Sequence, residues 1–367
     1  MDLLSFIVWD PIPEVIPSWS IPRWYGLFFA VGFLISQQIM FYFFRKDGRP
    51  EKDVETMTIY MVVATILGAR FGHVFFYEPE IFLNNPIDVI NFWDGGFSGL
   101  ASHGGAVGIL LALYIYSRRH TNQSYLWVLD RIVIVVALTG CLIRTGNLMN
   151  SEIIGKPTDS SLGFVFARSA EEAVESLEDY IDDVEASQGT HASAGNHLSP
   201  VDLRVEFKKQ GLDEAAVKKI LNYIQVNILS QSYVKQHIRQ AADQPLDYSL
   251  DQEKGQYIAT IHTQGVVRYP TQLFEAIFYL LTFAVLFLIW QKARHKLPEG
   301  FIFSLFLVIL FGFRFFIEFL KENQVAFEDD IPLNMGQWLS IPLVLTGAVL
   351  MVVLLQKQNK KDKEIAS

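Results

Sequence analysis

Cysteine is almost missing: Cys141 is the single one in 367 residues. An internal disulfide is therefore excluded, and so is a zinc site built on several thiolates. Charge is scarce too, at 19% of residues, while 51% are hydrophobic and the mean hydropathy is +0.25. That balance is too apolar for an ordinary soluble protein of this size, and 29 Phe, 14 Tyr and 7 Trp are incompatible with general disorder. The sequence has no internal repeat, no Gly-rich strand–helix turn for a nucleotide and no basic stripe for a nucleic acid. Met1–Pro22 lacks a basic opening and carries Asp10, Glu14 and four prolines, so it reads as a short extramembrane lead rather than a cleavable signal.

What is present is long apolar runs. About 20 predominantly apolar residues cross a bilayer. Seven runs qualify, at 24–44, 57–77, 97–117, 126–144, 271–291, 299–320 and 337–355. The expected fold class is an all-α polytopic membrane protein with seven transmembrane helices and an extracytoplasmic head between spans 4 and 5. Alternate connections are basic: Arg45, Lys46, Arg49 and Lys52, then Arg118 and Arg119, then Lys292, Arg294 and Lys296, then the Lys357–Lys363 tail. This bias places the N-terminus outside and the C-terminus inside. The expected organisation is an N-terminal membrane part over 1–159, the head over 160–267, and a C-terminal membrane part with a cytoplasmic tail over 268–367. Residues 145–270 hold 18 acidic against 11 basic residues, so the net charge of −9 is largely local to this connection. Within it, Ala170–Ser187 reads as a mobile acidic section and Gln188–Asn196 as a linker. Leu212–Val234 reads as helical from the spacing of Leu212, Val217, Ile220, Leu221 and Ile224.

Ionisable groups inside spans are costly and are functional candidates by default. They are Arg70 and His73 in span 2, His103 in span 3, Asp130, Arg131 and Arg144 in span 4, Glu275 in span 5, and Arg314 and Glu318 in span 6. With the orientation above, all but Asp130 and Arg131 fall under the outer leaflet; those two read as an inner-interface pair. Each has a bland alternative. Arg314 and Glu318, four apart, suit a structural ion pair as well as a site. Arg70 and His73 could snorkel. Gly104, Gly105 and Gly108 suit close helix packing, which leaves His103 between packing and chemistry. Cys141 reads as a buried small hydrophobe.

Three motifs stand out. Arg144-Thr-Gly-Asn147-Leu-Met-Asn150-Ser-Glu152-Ile-Ile-Gly155 sets an arginine and two asparagines three apart, on one face if helical. A guanidinium with amide donors holds phosphate or carboxylate, although a polar helix cap would look similar. Arg268-Tyr-Pro270-Thr-Gln272-Leu-Phe-Glu275 opens a helix, and Gly336-Gln337-Trp-Leu-Ser340-Ile-Pro342 lies at the mouth of the last span. At this level a transporter of small solutes or lipids and a lipid-binding scaffold stand beside an enzyme. The one-sided cluster and the missing repeat halves weigh against transport.

Together these residues resemble the prolipoprotein diacylglyceryl transferase family of bacterial inner membranes. Its pattern is matched by Arg23-Trp24-Tyr25-Gly26, Gly68-Ala-Arg70, Ser102-His103-Gly104-Gly105, the Arg144–Gly155 motif, Tyr269–Glu275, Arg314-x-x-x-Glu318 and Gly336–Pro342, in family order over all the spans. The chain departs at Tyr269, Phe274 and Ile143, and in a long 160–265 segment. The resemblance implies transfer of an sn-1,2-diacylglyceryl group from phosphatidylglycerol to the lipobox cysteine of a prolipoprotein signal peptide. A thioether forms and glycerol 1-phosphate leaves, with no cofactor, metal or nucleotide. It implies a monomer in the inner membrane, with a periplasmic N-terminus, a cytoplasmic C-terminus and no nucleic-acid partner. A thiol is only a few per cent ionised near neutrality, so the substrate cysteine needs a base or a positive neighbourhood. The expected catalytic residues are His103 as first choice of base, with Arg144, Arg314, Tyr25 and Glu152. Glu152, Glu275 or Glu318 remains open as the base instead. Phosphatidylglycerol is expected to meet Arg144, Asn147, Asn150, Gly155, Arg70, Gln272, Glu275 and Glu318.

Overall fold

The computed structural model describes residues 6–16, 19, 21–84, 89, 101–209, 211–240, 245–323, 328 and 331–366. The chain forms two compact units, one from 1–29, 142–277 and 314–337, the other from 30–141, 278–313 and 338–367. Long helices account for nearly half of it: α1 (Trp24–Lys46), α2 (Glu51–Tyr77), α4 (Ser102–Arg119), α5 (Tyr125–Met149), α9 (Thr271–Ala293), α10 (Phe301–Ile317) and α11 (Met335–Ala366), with a short α3 (Pro79–Asn84) after α2. Every unit boundary falls inside one of these helices.

Among the described residues, six helices are long and apolar enough to cross a membrane: Trp24–Lys46, Glu51–Tyr77, Tyr125–Met149, Thr271–Ala293, Phe301–Leu320 and Met335–Glu364. The chain is thus a multi-pass membrane protein. Apolar side chains face outward along these helices, including Ile59, Leu281 and Val349. Helix α4, the core of the span expected at 97–117, is not among the six. Its Arg118-Arg119 end and Ser-His-Gly-Gly opening lower its hydropathy, and 97–100 lie outside the described residues.

In the second unit, α2 and α4 touch backbone to backbone. A Cβ on Gly104 would come within 2.3 Å of the Gly68 carbonyl oxygen, and one on Gly108 within 2.4 Å of that of Ala64. Small residues allow such an approach and dispersion then holds the pair. Gly105 meets nothing closer than 3.6 Å, so the packing reading fits Gly104 and Gly108 only. The same unit corrects the expected Asp130–Arg131 pair. Asp130 accepts from the backbone N–H of Gly300 (2.7 Å) and Phe303 (2.8 Å), satisfying orphan donors at the start of α10. Arg131 instead pairs with Asp47, which Arg294 Nε also approaches at 3.1 Å. Adjacent helical residues point in different directions, so neighbours in sequence found separate partners. Cys141 is buried.

The first unit corrects the all-α expectation. Between α5 and α9 lies a five-stranded antiparallel sheet in the order β3 (Ile181–Gln188), β4 (Leu198–Phe207), β7 (Gln256–Val266), β5 (Ile238–Arg239), with β6 (Tyr248–Glu253) also on β7. A parallel pair joins β1 (Ile7–Trp9) to β2 (Phe164–Phe166). In β4, Val201, Leu203, Val205 and Phe207 are buried while their neighbours are not, the period of two that a half-buried strand requires. These residues, with Ala259 and Ile261 of β7, pack on Val217 and Leu221 of α7 (Glu214–Tyr223), Ile224 of the π-helical turn after it, and Val174 of α6 (Arg168–Glu175). The helical reading of 212–234 is thereby met by α7, that turn and α8 (Ser232–Lys235). The stretch expected to be a mobile acidic section is instead ordered as α6 and β3. Strand β3 has too few apolar residues to signal itself, because Ile181 and Val184 are its only buried ones. Backbone bonding to β4 holds it, and its Asp182, Asp183 and Glu185 suit an edge.

Glu171 of α6 is fully buried, and its Oε1 accepts from the Ala186 N–H at 2.6 Å. Burial, then the neighbouring Asp10 carboxyl, push its pKa well above the ordinary carboxylate range. The folded chain therefore holds this proton after the unfolded chain has lost it. The stability it supports is complete below the ordinary carboxylate value and is lost as pH rises toward the folded-state value. Glu171→Gln keeps the acceptor and removes the titration. It should raise the thermal midpoint near neutrality and flatten its decline between about pH 5 and about pH 8; a midpoint at or below wild type across that range would refute this assignment.

Candidate active site

The polar residues of the first unit converge where three segments distant in sequence meet. The end of α5 brings Arg144, Asn147 and the turn to Gly155. The start of α9 brings Gln272 and Glu275. The end of α10 and the 3₁₀ turn Glu318–Leu320 bring Arg314, Glu318 and Lys321. Their backbones exchange hydrogen bonds directly. Gly155 N–H donates to the Tyr269 carbonyl (3.1 Å), Lys156 N–H to that of Leu320 (2.8 Å), Thr158 N–H to that of Val267 (2.8 Å), and Glu322 N–H to that of Ile154 (3.2 Å). Gly155 makes this possible: a Cβ there would lie 2.4 Å from the Tyr269 oxygen and 2.9 Å from Thr271 Cγ2.

The side chains form a chain of alternating charge. Arg144 Nε lies 3.0 Å from Glu275 Oε2; Lys321 Nζ lies 3.0 Å from Glu275 Oε1 and 3.1 Å from Glu318 Oε1; Arg314 Nη2 lies 3.7 Å from that same Glu318 oxygen. Asn334 Nδ2 donates to Glu318 Oε2 at 3.2 Å. Lys321 and Glu275 are 2% and 0% exposed at their side chains, whereas Arg144 reaches 13% and Arg314 32%. Three cations against two anions leave one positive charge in excess, and the accessible ends are both arginines. Such an array favours an anion at its ends.

The rest of the first motif supports Arg144. Its Nη1 donates to Asn147 Oδ1 (3.2 Å), Asn147 Nδ2 donates to Glu152 Oε2 (3.1 Å), and Asn150 Nδ2 donates to Glu152 Oε1 (3.1 Å). Gln272 Nε2 donates to the Glu152 backbone oxygen at 2.5 Å. Tyr25 lies against Gly146, where a Cβ would come within 2.9 Å of its ring. Arg268, at the end of β7, is buried and donates to the Gln236 and Gly155 carbonyls and the Glu322 carboxylate, each at 2.9 Å. Burial pushes its pKa down and Glu322 pulls it back up.

Of the expected site residues, the first unit thus brings together Tyr25, Arg144, Asn147, Asn150, Glu152, Gly155, Gln272, Glu275, Arg314 and Glu318. Arg70 and His103 belong to the second unit. There Arg70 Nε donates to the Val89 carbonyl at 3.1 Å, and the His103 ring meets Phe76 edge-on with centroids 5.1 Å apart. His103 also lies at one end of an apolar groove of about 840 Å³ between α2 and α4, lined by Ile59, Val63, Leu67, Phe71, Val107 and Leu111 among others. Lys321 does not stand out in the sequence, because it follows the apolar run of span 6 where a loop begins. The available signal was its spacing: Glu318 and Lys321 are three apart, just after Arg314, so a charge alternation was already written there.

A multi-pass membrane protein with a buried array of alternating charge, built from three motif segments, is the class these features define. The family model for prolipoprotein diacylglyceryl transferase matches residues 15–353, and the chain belongs to that family. It is 34% identical over 364 residues to the phosphatidylglycerol–prolipoprotein diacylglyceryl transferase of Chloroherpeton thalassium, covering 99% of both chains. It is 33% identical to the protein of that name in Tolumonas auensis, over 95% of this chain and 97% of the relative. It is also 33% identical to the one in Bacteroides fragilis, over 98% and 99%. Alignments of that extent include the sheet-bearing segment, which is therefore no peculiarity of this chain.

Lys321 is the link that keeps Glu275 and Glu318 side by side. Lys321→Met would leave two buried carboxylates facing each other and should cost about 3–5 kcal/mol. Adding Glu275→Gln should recover part of that loss, as read from unfolding midpoints in detergent. A Lys321→Met protein as stable as wild type would mean that the buried ammonium is not what holds the array.

Proposed function

We propose that this protein transfers the sn-1,2-diacylglyceryl group of phosphatidylglycerol to the lipobox cysteine thiol of a prolipoprotein, the first step of bacterial lipoprotein maturation. The observation that carries the reading is the alternating charge chain ending in two accessible arginines, within a chain that belongs to this transferase family. The cysteine sulfur attacks the glyceryl carbon bonded to phosphate oxygen. A carbon–sulfur bond forms, the carbon–oxygen bond breaks, and glycerol 1-phosphate leaves with the bonding pair. The thiol proton goes to a base.

Each residue has a role within this reading. Arg144 and Arg314 hold the headgroup phosphate and stabilise charge on the departing oxygen, which is where preorganised donors contribute most. Glu275, Glu318 and Lys321 fix the two guanidiniums. Asn147, Asn150 and Gln272 hold Glu152 and the turn around Gly155, and Tyr25 and Arg70 offer further donors to the lipid. His103 is the base, and the apolar groove beside it suits an acyl chain. The protein acts as a monomer in the bacterial inner membrane. It has seven spans, α4 being the third, with its N-terminus periplasmic and its C-terminus cytoplasmic. Residues 160–267 form a periplasmic head between membrane parts at 1–159 and 268–367.

The test is transfer from labelled phosphatidylglycerol to a lipobox peptide by the purified protein, beside the same peptide with serine for cysteine. Thioether and glycerol phosphate should appear with the cysteine peptide alone; phosphatidylglycerol binding with neither product would overturn the reading. In that assay His103→Gln should slow turnover by about 100-fold or more. Arg144→Lys should cost about 100-fold as well, because an ammonium cannot replace a guanidinium fork. Full activity in either variant removes the role assigned to that residue.

A further inference from the structure

A second cluster of chemistry-bearing residues lies on the sheet. Asp202 of β4 and His262 of β7 are direct cross-strand partners, on the face opposite the core residues Val201 and Leu203. His262 Nδ1 lies 2.8 Å from Asp202 Oδ1. His191, in the turn between β3 and β4, brings its own Nδ1 to 3.3 Å from that same oxygen. One ligand atom from each of the three residues lies within 4.8 Å of the others.

The far side of His191 decides what this convergence means. Its Nε2 is 2.7 Å from the Thr263 carbonyl oxygen. A carbonyl can only accept, so Nε2 carries the hydrogen, and a neutral ring then has a bare Nδ1. That atom is buried and makes no hydrogen bond. A ring lone pair and a carboxylate lone pair therefore face each other, a repulsive arrangement unless a positive species lies between them. Imidazoles that bind metals are held in this way, with the far N–H donated to a carbonyl or carboxylate. The 3.3 Å between His191 Nδ1 and Asp202 Oδ1 suits a metal as well, while the 2.8 Å from His262 Nδ1 is a hydrogen bond whose proton a metal would displace. With metal–ligand bonds of about 2.0–2.1 Å, a tetrahedral site separates its ligand atoms by about 3.3 Å. Gly189 keeps the space open: a Cβ there would lie 2.6 Å from His191 Cε1 and 2.9 Å from Asp202 Oδ1.

We propose that His191, Asp202 and His262 form a site for a divalent transition-metal ion of the zinc class, which pins the β3–β4 turn to β7. Two imidazoles and one carboxylate without thiolate favour zinc, copper or nickel over calcium or magnesium. All three side chains are partly exposed, so an ion has access and a fourth position is left to solvent or a ligand. The single cysteine excludes a site built on several thiolates and leaves this kind open.

The full-length protein, stripped with chelator in detergent, would be titrated with Co²⁺ and then Zn²⁺. One Co²⁺ per chain should give tetrahedral visible bands, and Zn²⁺ should abolish them. Zn²⁺ should also raise the thermal midpoint of wild type by mass action. Asp202→Asn, close in shape, and His262→Ala should each weaken Zn²⁺ binding at least about tenfold. Each should lose the midpoint shift while keeping a cooperative transition without metal. No uptake at micromolar Zn²⁺ by folded wild type would overturn the proposal. Unchanged affinity in the Asp202→Asn/His262→Ala double variant would overturn it too.

Discussion

A buried ammonium between two buried carboxylates is the constraint on which the rest of the first unit depends. Lys321 can sit there only if Glu275 and Glu318 both reach it, and each carboxylate then has a second oxygen or edge to satisfy. Arg144, Arg314 and Asn334 supply what is missing. An isolated buried pair is a poor source of stability, because desolvation offsets its Coulombic gain. A chain that alternates sign is different in kind. Every interior charge has a partner on each side, and the terminal arginines are its more exposed members. The array fixes register between α5, α9 and the end of α10, and it presents two guanidiniums at set positions.

The backbone around the array follows the same logic. Residues 153–158, 267–270 and 321–322 lie outside the helices, so most of their amide groups have no helical partners. They bond to one another across segments instead. This is the tolerated form of irregular backbone in a membrane protein: polar groups are met by protein, not left to lipid. It also explains the glycine at 155, since two strands of irregular chain approach more closely than a Cβ allows.

Much of the site was legible in the sequence because charge is so rare in these spans. Arg144, Glu275, Arg314 and Glu318 stood out against apolar runs, and the structure brings all four together. Lys321 was less visible because it follows the apolar run and resembles an ordinary loop cation; only its burial between two glutamates marks it. The sheet escaped for another reason. Strand β4 does carry a period-two signal, Val201, Leu203, Val205 and Phe207 alternating with Asp202, Arg204 and Glu206, which the reading of helical spacing passed over, whereas β7 is weaker because Thr263 and Gly265 occupy buried positions. Strand β3 exists through pairing, which its own composition does not encode. The Asp130–Arg131 reading failed because adjacency in sequence is divergence on a helix.

The sheet is tied to the array through its last strand. Strand β7 runs from the sheet straight into Arg268, Tyr269 and Pro270, and α9 begins at the next residue. The Arg268 guanidinium binds the Gly155 carbonyl of the first motif and the Glu322 carboxylate beside Lys321. A register shift in β7 would therefore displace Glu275 along with it. Trp9 adds a tie from the opposite side, its Nε1 donating to the Leu148 carbonyl at 2.9 Å while β1 pairs with β2. Burial in the sheet thus sets the height of the α9 start, and that height sets whether Glu275 can span Arg144 and Lys321.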